Sequence, residues 1–274
     1  MTTILKNKKE LYRETAMDLT YLEFHNEGSL GYITLNRPDK RNALCLDMLH
    51  ELNDLLATIS RHKAVTVVVI KGKGKIFSGG HDISDLVNGD LIQYSDVFDT
   101  CALVMEKIQQ LPQPVVAQVH GIATAAGCQL VAACDLAVAA EGTLFGTPGV
   151  KIGLFCTTPG VPLVRAIGRK RALEMLLTGR MISAQEAERY GLINRVVSPD
   201  QLAEETKALA EKIAQASPVT LRIGKEAFYS QANLADTQAY DYARKVMVTN
   251  LFAEDAQEGL TAFLEKRKPV WKGK

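Results

Sequence analysis

The sequence predicts an α/β fold followed by a mostly helical C-terminal part. Three short apolar runs, VTVVVI (65–70), PVVAQV (114–119) and LAVAA (136–140), have the composition of strands that are buried on both faces. Each run leads into a turn that contains glycine and small residues, and segments with helical spacing lie between the runs. Strands that alternate with helices in this way favour an α/β fold built from ββα turns.

The elements of the first half follow one another as strands, turns and helices. Two short strand patterns, LTYLEF (19–24) and GYITL (31–35), are joined by a predicted turn at His25–Gly31. Helical spacing of apolar residues predicts helices over 43–60 and 93–111. The remaining segments are predicted as a turn at 36–42, a glycine-rich loop at 72–82, an apolar helix at about 127–134, and a glycine turn leading into GTPGVKIGLF (146–155).

The pattern becomes mostly helical from about Ser183 onwards. One strand-like piece, LINRVV (192–197), interrupts it, and further helices are predicted as far as about Lys266. No low-complexity linker separates the two halves. We therefore predict an N-terminal extension (1–19), a core (20–200) and a helical C-terminal region (201–274).

Composition limits the classes of partner. The 274 residues carry 32 Lys and Arg against 31 Asp and Glu, which gives a formal net charge of +1. Such a balance provides no broad electrostatic attraction to nucleic acid or to an acidic membrane surface. An anionic ligand must therefore be held by local groups, and we expect neither nucleic acid nor a membrane as a partner.

Cysteine usage predicts a reducing compartment and no metal site. The five cysteines are odd in number and form no CxxC motif, which is typical of free thiols. The histidines are scattered, so no Cys/His cluster has the spacing of a zinc site. The first residues lack a secretory apolar core and mix lysines with Glu10 and Glu14, which favours the cytoplasm.

Two glycine-rich segments are the candidates for chemistry. Phe77 breaks the dinucleotide fingerprint, and neither a Walker A sequence nor a GxSxG elbow occurs. FSGGHDI (77–83) and ATAAGCQL (123–130) instead each follow a buried strand. Small residues leave backbone N–H groups uncovered, and those at a helix N-terminus are unpaired. One N–H from each segment would form an oxyanion hole. The alternative is a pair of tight turns between closely packed chains.

Five segments occur in the order found in one enzyme superfamily. They are LNRPDKRNAL (35–44), IFSGGHDISDL (76–86), VHGIATAAGCQLVAACDLAVAAE (119–141), FGTPGVKIGL (145–154) and TAFLEKRKP (261–269). On these motifs the sequence resembles the crotonase superfamily, also called the enoyl-CoA hydratase/isomerase family. The resemblance implies a crotonase-like ββα spiral core with a C-terminal helical trimerisation region, assembled as a homotrimer or homohexamer. It also implies a lyase or isomerase of fatty acid metabolism, placed in the mitochondrial matrix if the source is eukaryotic.

The resemblance places an acyl-CoA thioester in the site, with no covalently bound cofactor. The thioester carbonyl would lie between the backbone N–H groups of His81 and Ala126. Phe263 and Lys266 would approach CoA from a neighbouring subunit. The remaining CoA contacts would come from Lys40, Arg41, Asn42, Ala43 and Leu44, and from the backbone of His81, Asp82 and Ile83.

Two positions depart from the family pattern. Hydratases of the family carry glutamates where this sequence has Gln129 and Gly149. An amide exchanges no proton near neutral pH, and general acid–base catalysis is worth about 10²–10⁴-fold per group. We therefore expect ordinary hydratase activity to be nearly lost. The alternatives are another acyl-CoA reaction, a non-catalytic acyl-CoA binder and an acyl-CoA thioesterase. Bicarbonate beside Gly149 is a candidate external base, as in some naphthoate synthases of the superfamily.

Three other residues near the motifs have more than one interpretation. The His81 imidazole titrates near neutrality and is either a catalytic group or a loop residue bonded to Asp82 or a phosphate. Asp82 is either an acid or base or a residue that orders its loop through backbone N–H groups, and we expect the second. Cys156 has no evident base or cation nearby, so we expect it to be a buried packing residue.

Overall fold

Nine strands form two sheets in the computed structural model, which describes residues 19–274. In chain order they are β1 (Leu22–Glu27), β2 (Leu30–Leu35), β3 (Val67–Gly72), β4 (Val115–Val119), β5 (Ile122–Thr124), β6 (Leu136–Ala140), β7 (Leu144–Gly146), β8 (Met181–Ser183) and β9 (Arg195–Val197). The larger sheet has the order β1-β2-β3-β4-β6-β9, and the smaller sheet has the order β5-β7-β8. Apart from Leu19, the predicted N-terminal extension (1–19) lies outside the described residues.

Most of the large sheet is parallel. Only β1 and β2 pair as an antiparallel hairpin, while β2, β3, β4, β6 and β9 run in the same direction. The three predicted buried strands are confirmed as β3, β4 and β6. Their valine-rich and alanine-rich sequences suit this position because helices cover both faces of the sheet. Parallel strands bring their carboxyl ends to one edge, where the loops after β3 and β4 meet.

Ten α-helices occur among the described residues. They are α1 (Leu46–Ser60), α2 (Leu91–Gln110), α3 (Ala126–Ala133), α4 (Thr157–Ile167), α5 (Arg169–Thr178), α6 (Ala184–Tyr190), α7 (Leu202–Ala214), α8 (Pro218–Gln231), α9 (Asp236–Asn250) and α10 (Glu254–Leu264). Helices α1 and α2 pack on each other, and α1 buries six apolar side chains at helical spacing. Helix α3 is buried along almost its whole length. The fold therefore fixes α3, which begins at the end of β5, firmly within the core.

Helix α7 covers the opposite face of the large sheet. Its Ala210 packs with Tyr32 and Val67, and its Leu202 packs with Val138 of β6. Helix α7, the first helix of the predicted C-terminal region, therefore packs on the sheet of the core. The division at residue 200 and the assignment of residues 201–274 to oligomerisation stay predictions.

The structure corrects some of the predicted element boundaries. The turn predicted at His25–Gly31 is shorter, because Glu27 pairs with Leu30 and the hairpin closes through residues 28–29. The stacked rings of His25 and Tyr32, 5.0 Å apart, hold that register across the two strands. Two helices of residues 157–178 and the short strands β5, β7 and β8 were not predicted, since none has a long periodic pattern.

A buried ion pair joins α8 to the core. Lys225 Nζ lies 2.6 Å from Asp135 Oδ2 and also donates to the carbonyls of Ile108 and Gln113. Asp135 accepts two further hydrogen bonds, from the Tyr229 hydroxyl and from the backbone N–H of the first residue of β4. Burial lowers the pKa of Lys225, and the neighbouring carboxylate opposes this effect. The ion pair therefore anchors α8 to the segments that precede β4 and β6.

In residues 19–274 we find no helix that combines the length and the apolar character needed to cross a bilayer.

Candidate active site

A mainly apolar cavity of about 500 Å³ lies at the carboxyl edge of β3 and β4. This volume is in the range of small-molecule sites, which are concave and mostly lined by apolar side chains. The two glycine-rich segments form one side of the cavity, and residues 148–159 form the other. The lining residues are Gly79, His81, Ile83, Leu86, Phe98, Thr124, Ala125, Ala126, Pro148, Gly149, Lys151, Ile152, Leu154, Phe155, Cys156, Thr157, Thr158 and Pro159.

Hydrogen bonds join the two glycine-rich segments side by side. Ser78 N–H donates to the Ile122 carbonyl at 3.1 Å, and Thr124 N–H donates to the Ser78 carbonyl at 3.0 Å. The Thr124 hydroxyl adds a bond of 3.0 Å to the Gly79 carbonyl. These contacts place His81, two residues after Gly79, close to the start of α3. The structure therefore brings together the two segments in which the sequence predicts an oxyanion hole.

The backbone N–H groups of His81 and Ala126 are both unpaired at the cavity wall. Ala126 is the first residue of α3, and no side chain caps this helix. Within residues 19–274, neither N–H donates to a protein acceptor. Two uncapped donors, one of them at the positive end of a helix, make this wall favourable for a carbonyl oxygen that gains negative charge.

Backbone geometry keeps the two segments this close. Gly80 has φ +95°, and a Cβ there would lie 2.8 Å from Ala125 Cβ and 3.0 Å from the Thr124 carbonyl oxygen. Ala125 has φ 48° and ψ −119°, a conformation that L residues rarely adopt. Its N–H is held by the Gly146 carbonyl of β7 at 2.9 Å. The strained backbone of Ala125 thus directly precedes the Ala126 N–H and sets its direction. Strained residues of this kind are common at preorganised functional sites.

The two positions of the expected glutamates contribute no acid to the cavity. Gln129 is only 3% exposed, does not line the cavity, and its Oε1 lies 4.0 Å from the Cys101 thiol as an acceptor. Gly149 does line the cavity, but a Cβ there would lie 2.2 Å from the Leu154 carbonyl oxygen and 2.7 Å from Cys156 Sγ. The space that a side chain at residue 149 would enter is therefore already occupied by Leu154 and Cys156, and it leaves no room there for an external base. No Asp or Glu occurs among the cavity residues of the described chain.

Replacement of Gly149 by alanine is expected to destabilise the protein by about 1–3 kcal/mol. The new methyl group overlaps a backbone carbonyl, so the loop ending at Cys156 must move. Urea unfolding of Gly149→Ala measures the loss. Gly224→Ala is the matched control, because a Cβ at Gly224 in α8 has no atom within 4 Å and alanine gains up to about 1 kcal/mol in a helix. Wild-type stability of Gly149→Ala would contradict the packing described here.

The His81 side chain is enclosed without a polar partner. Its ring lies edge-on to Phe98 at 5.3 Å, and both ring nitrogens are buried with no hydrogen-bond partner. Burial lowers the pKa of His81, and the nearby Leu44 carbonyl and Asp85 carboxylate oppose the shift. The imidazole is therefore neutral at pH 7. The predicted alternative of a bond from the imidazole to Asp82 is wrong, since both ring nitrogens are unpaired.

Acid is expected to destabilise the protein through His81. The unfolded chain protonates this histidine near pH 6.5, whereas the folded protein resists protonation, so the free energy of unfolding falls as pH drops below about 6.5. Urea unfolding between pH 7.5 and pH 5 measures this slope. His81→Gln should flatten it, while His50→Gln, at an exposed position on α1, should keep the wild-type dependence. Equal slopes for wild type and His81→Gln would contradict the burial argument.

Comparisons with known proteins agree with this geometry. Residues 25–274 match the family model described as enoyl-CoA hydratase/isomerase. The chain belongs to the enoyl-CoA hydratase/isomerase family. It is 49% identical to human enoyl-CoA hydratase domain-containing protein 3, mitochondrial, over 87% of this chain and 79% of the human protein. It is 36% identical to a probable enoyl-CoA hydratase of Rhizobium meliloti, over 93% of this chain and 99% of the relative.

Solved structures of the family confirm the fold. The crystal structure of human enoyl-CoA hydratase domain-containing protein 3 superimposes with a TM-score of 0.90 at 46% identity, covering 92% of this chain and 100% of that one. An enoyl-CoA hydratase from Mycobacterium smegmatis gives a TM-score of 0.90 at 44% identity, covering 92% and 99%. The predicted crotonase-like ββα spiral with C-terminal helices is therefore confirmed.

The turn at residues 40–44, which is expected to contact CoA, contains both exposed and buried residues. Lys40 and Arg41 are exposed, whereas Asn42 and Leu44 are buried. The Asn42 side chain donates to the carbonyls of Lys73 and Ile76 and accepts from a backbone N–H, so all its polar atoms are used inside the protein. The backbone of Leu44 pairs with the segment around His81. Its N–H donates to the Gly80 carbonyl, and its carbonyl accepts from the Asp82 N–H. Asn42 and Leu44 therefore shape the site from within, and their side chains cannot reach a ligand.

The Asp82 carboxylate is committed to holding its loop. It caps the 3-10 helix Ile83–Leu86 by accepting from Ser84 N–H at 3.1 Å and from the Ser84 hydroxyl, and it pairs with Arg37 at 3.0 Å. The bonds from Ser84, together with Arg37, lower the pKa of Asp82. Arg37 also donates to the Ala43 carbonyl. The expectation that Asp82 orders its loop is confirmed, and an ionised, fully paired carboxylate is a poor proton donor.

The other predicted residues lie outside the cavity or are buried. Phe263, 81% exposed in α10, and Lys266 just after it do not line the cavity of their own chain, so their predicted contact with CoA across subunits stays a prediction. All five cysteines are free and buried, as expected. Cys156 borders the cavity, but burial raises the pKa of its thiol. The sequence did not reveal Phe98 or Leu86 as lining residues. Phe98 is one apolar position within an ordinary helical pattern, and Leu86 is one apolar residue at the end of the motif 76–86.

Proposed function

We propose that this chain binds an acyl-CoA thioester and polarises its carbonyl through the backbone N–H groups of His81 and Ala126. The single observation that carries the proposal is the pair of unpaired N–H groups on the wall of one apolar cavity. Negative charge on the thioester oxygen, in an enolate or a tetrahedral intermediate, would be stabilised there by about 2.7–4 kcal/mol per donor. The names of the relatives, which include enoyl-CoA hydratases, support the same ligand.

The proposed reaction is crotonase-type chemistry other than ordinary hydration. Hydration needs one group to deprotonate water and one to protonate the substrate carbon. Gln129 faces Cys101 inside the protein and Gly149 has no side chain, so neither position supplies such a group. The cavity residues also support a second candidate, a binder that holds acyl-CoA without turnover, because they include no carboxylate.

Crotonyl-CoA separates these functions in one experiment. Enoyl absorbance and free thiol are followed together, and binding is measured by calorimetry. We expect binding with slow or no loss of absorbance. Rapid loss of absorbance without thiol release would show ordinary hydration and contradict the account of the two replaced glutamates. Thiol release would show a thioesterase. Absence of binding of crotonyl-CoA and of longer acyl-CoA thioesters alike would contradict the proposal as a whole.

We further propose that the C-terminal helices join subunits into a trimer or a dimer of trimers. Helices α8, α9 and α10 and the turn between α9 and α10 carry apolar side chains that are exposed in the single chain. Among them are Phe228, Met247, Phe252, Leu260 and Leu264. Exposed apolar side chains that are this numerous in one region often mark an interface. Analytical ultracentrifugation tests this directly. As to the compartment, several relatives are named mitochondrial, and the choice between cytoplasm and matrix stays a prediction.

A further inference from the structure

Four side chains that line the cavity are both apolar and largely exposed. Ile152 is 68% exposed, Leu154 44%, Phe155 39% and Ile83 51%. Three of them are close together in sequence. Ile152 ends the 3-10 helix Pro148–Ile152, and Leu154 and Phe155 lie in the loop after it. Isolated apolar side chains on a surface need no explanation, but a group that continues the wall of a cavity marks a surface that something covers. We call Ile152, Leu154 and Phe155 the apolar rim.

The rest of the cavity wall is also mainly apolar and includes Leu86 and Phe98. Lys151 is the one lining side chain with a permanent charge in residues 19–274, and its alkyl stem lies against Gly179. The rim side chains themselves contain no hydrogen-bonding group. A polar or carboxylated acyl group would therefore lose its water here without gaining hydrogen bonds from the rim.

We infer that the acyl group is an extended alkyl chain long enough to leave the enclosed part of the cavity and cover the apolar rim. This inference rests on the proposed function, because it takes the thioester carbonyl to lie at His81 and Ala126. Both residues line the same mainly apolar cavity as the rim, so a chain that starts at the carbonyl can extend through the cavity to the rim. A four-carbon chain has only three carbons beyond the thioester carbonyl, which is too few to fill a cavity of about 500 Å³ and also cover the rim. The substrate class is thus a medium-chain or long-chain acyl-CoA.

Affinity for saturated acyl-CoA is expected to rise steeply with chain length. Burial of one methylene group strengthens binding about fourfold. The increase continues until the rim is covered and then levels off. Between butyryl-CoA and dodecanoyl-CoA we expect a gain of at least about 100-fold, which allows for incomplete burial of the outer methylenes.

Calorimetry of the full chain with butyryl-, octanoyl- and dodecanoyl-CoA tests the inference. The double variant Ile152→Ser/Phe155→Ser should reduce the ratio of dodecanoyl to butyryl affinity by at least about tenfold, since it removes much of the rim's apolar area. Leu177→Ser is the matched control, because Leu177 is 61% exposed but lies on α5 outside the cavity. It should keep the wild-type ratio.

Several outcomes would overturn the inference. Affinities within threefold across the series would overturn the inference on chain length and leave the proposed function intact. No binding of any acyl-CoA would overturn both the inference and the proposed function. Tighter binding of a dicarboxylic acyl-CoA than of an alkyl acyl-CoA of equal length would show that Lys151 binds a carboxylate at the end of the acyl group, and that the rim does not select an alkyl chain. Sedimentation of the rim variant gives the last test. Dissociation of an oligomer with an unchanged affinity ratio would show that a second copy of the chain covers the rim.

Discussion

Gly80→Ala is expected to lower acyl-CoA affinity by at least about 30-fold and the free energy of unfolding by about 2–5 kcal/mol. The φ of +95° costs an L residue about 1–2 kcal/mol. The new methyl group lies 2.8 Å from Ala125 Cβ and 3.0 Å from the Thr124 carbonyl oxygen, which adds overpacking of about 1–3 kcal/mol. Relief of the clash moves the His81 segment away from Ala126, so the two N–H groups no longer reach one oxygen.

Gly142→Ala separates backbone strain from the clash. Gly142 also has a positive φ, +78°, but a Cβ there has no atom within 4 Å. This variant should lose about 1–2 kcal/mol of stability and keep wild-type affinity. Urea unfolding and calorimetry with octanoyl-CoA measure the two quantities. Gly80→Ala with unchanged affinity would show that the spacing of the two segments is unimportant for the ligand.

Lys225→Met is expected to destabilise the protein by about 3–5 kcal/mol, the largest effect on stability that we predict. The substitution leaves the Asp135 carboxylate buried without its cation and removes the donor to the Ile108 and Gln113 carbonyls. Burial and the neighbouring carboxylate raise the pKa of Tyr229, so this hydroxyl stays protonated and continues to donate to Asp135. It cannot replace the lost charge.

Urea unfolding at one fixed protein concentration measures this loss, because stability depends on concentration if the chain is oligomeric. Lys225→Met/Asp135→Asn should recover part of it, since the unpaired charge is then absent. Lys73→Met is the matched control. Lys73 pairs with Glu23 at the same distance of 2.6 Å, but both side chains are about half exposed, so the loss should stay below about 1 kcal/mol. Equal effects of Lys225→Met and Lys73→Met would contradict a special role for burial.

The fold was largely predictable because its core strands have strong local signals. The runs that became β3, β4 and β6 are continuous and apolar, which happens only where both faces of a strand are covered. The turn at His25 was placed wrongly because its polar residues look like loop residues, and only the cross-strand partner Tyr32 shows that His25 belongs to β1. Helix α7 was predicted, but its position on the sheet depends on tertiary contacts that its sequence does not contain.

The sequence predicted which backbone groups form the candidate site better than it predicted where the side chains point. Small residues around His81 and Ala126 indicated uncovered N–H groups, and both groups are unpaired. The direction of a side chain is a property of the fold, so the sequence could not show that Gln129 faces Cys101 or that the Leu154 carbonyl fills the space beside Gly149. For the same reason the sequence could not show that the polar atoms of the Asn42 side chain are all used within the protein. The predicted contact of residues 40–44 with CoA stays a prediction.

The central claim is that the His81 and Ala126 N–H groups bind the thioester oxygen. Isotope-edited infrared spectroscopy of octanoyl-CoA labelled with ¹³C at the thioester carbonyl tests it most directly, because two added hydrogen bonds weaken the C=O bond. We predict that the carbonyl stretch moves below its value in water when the wild-type protein or Gly142→Ala binds the ligand, and that Gly80→Ala loses this shift. A bound carbonyl with the same frequency as in water would contradict the claim.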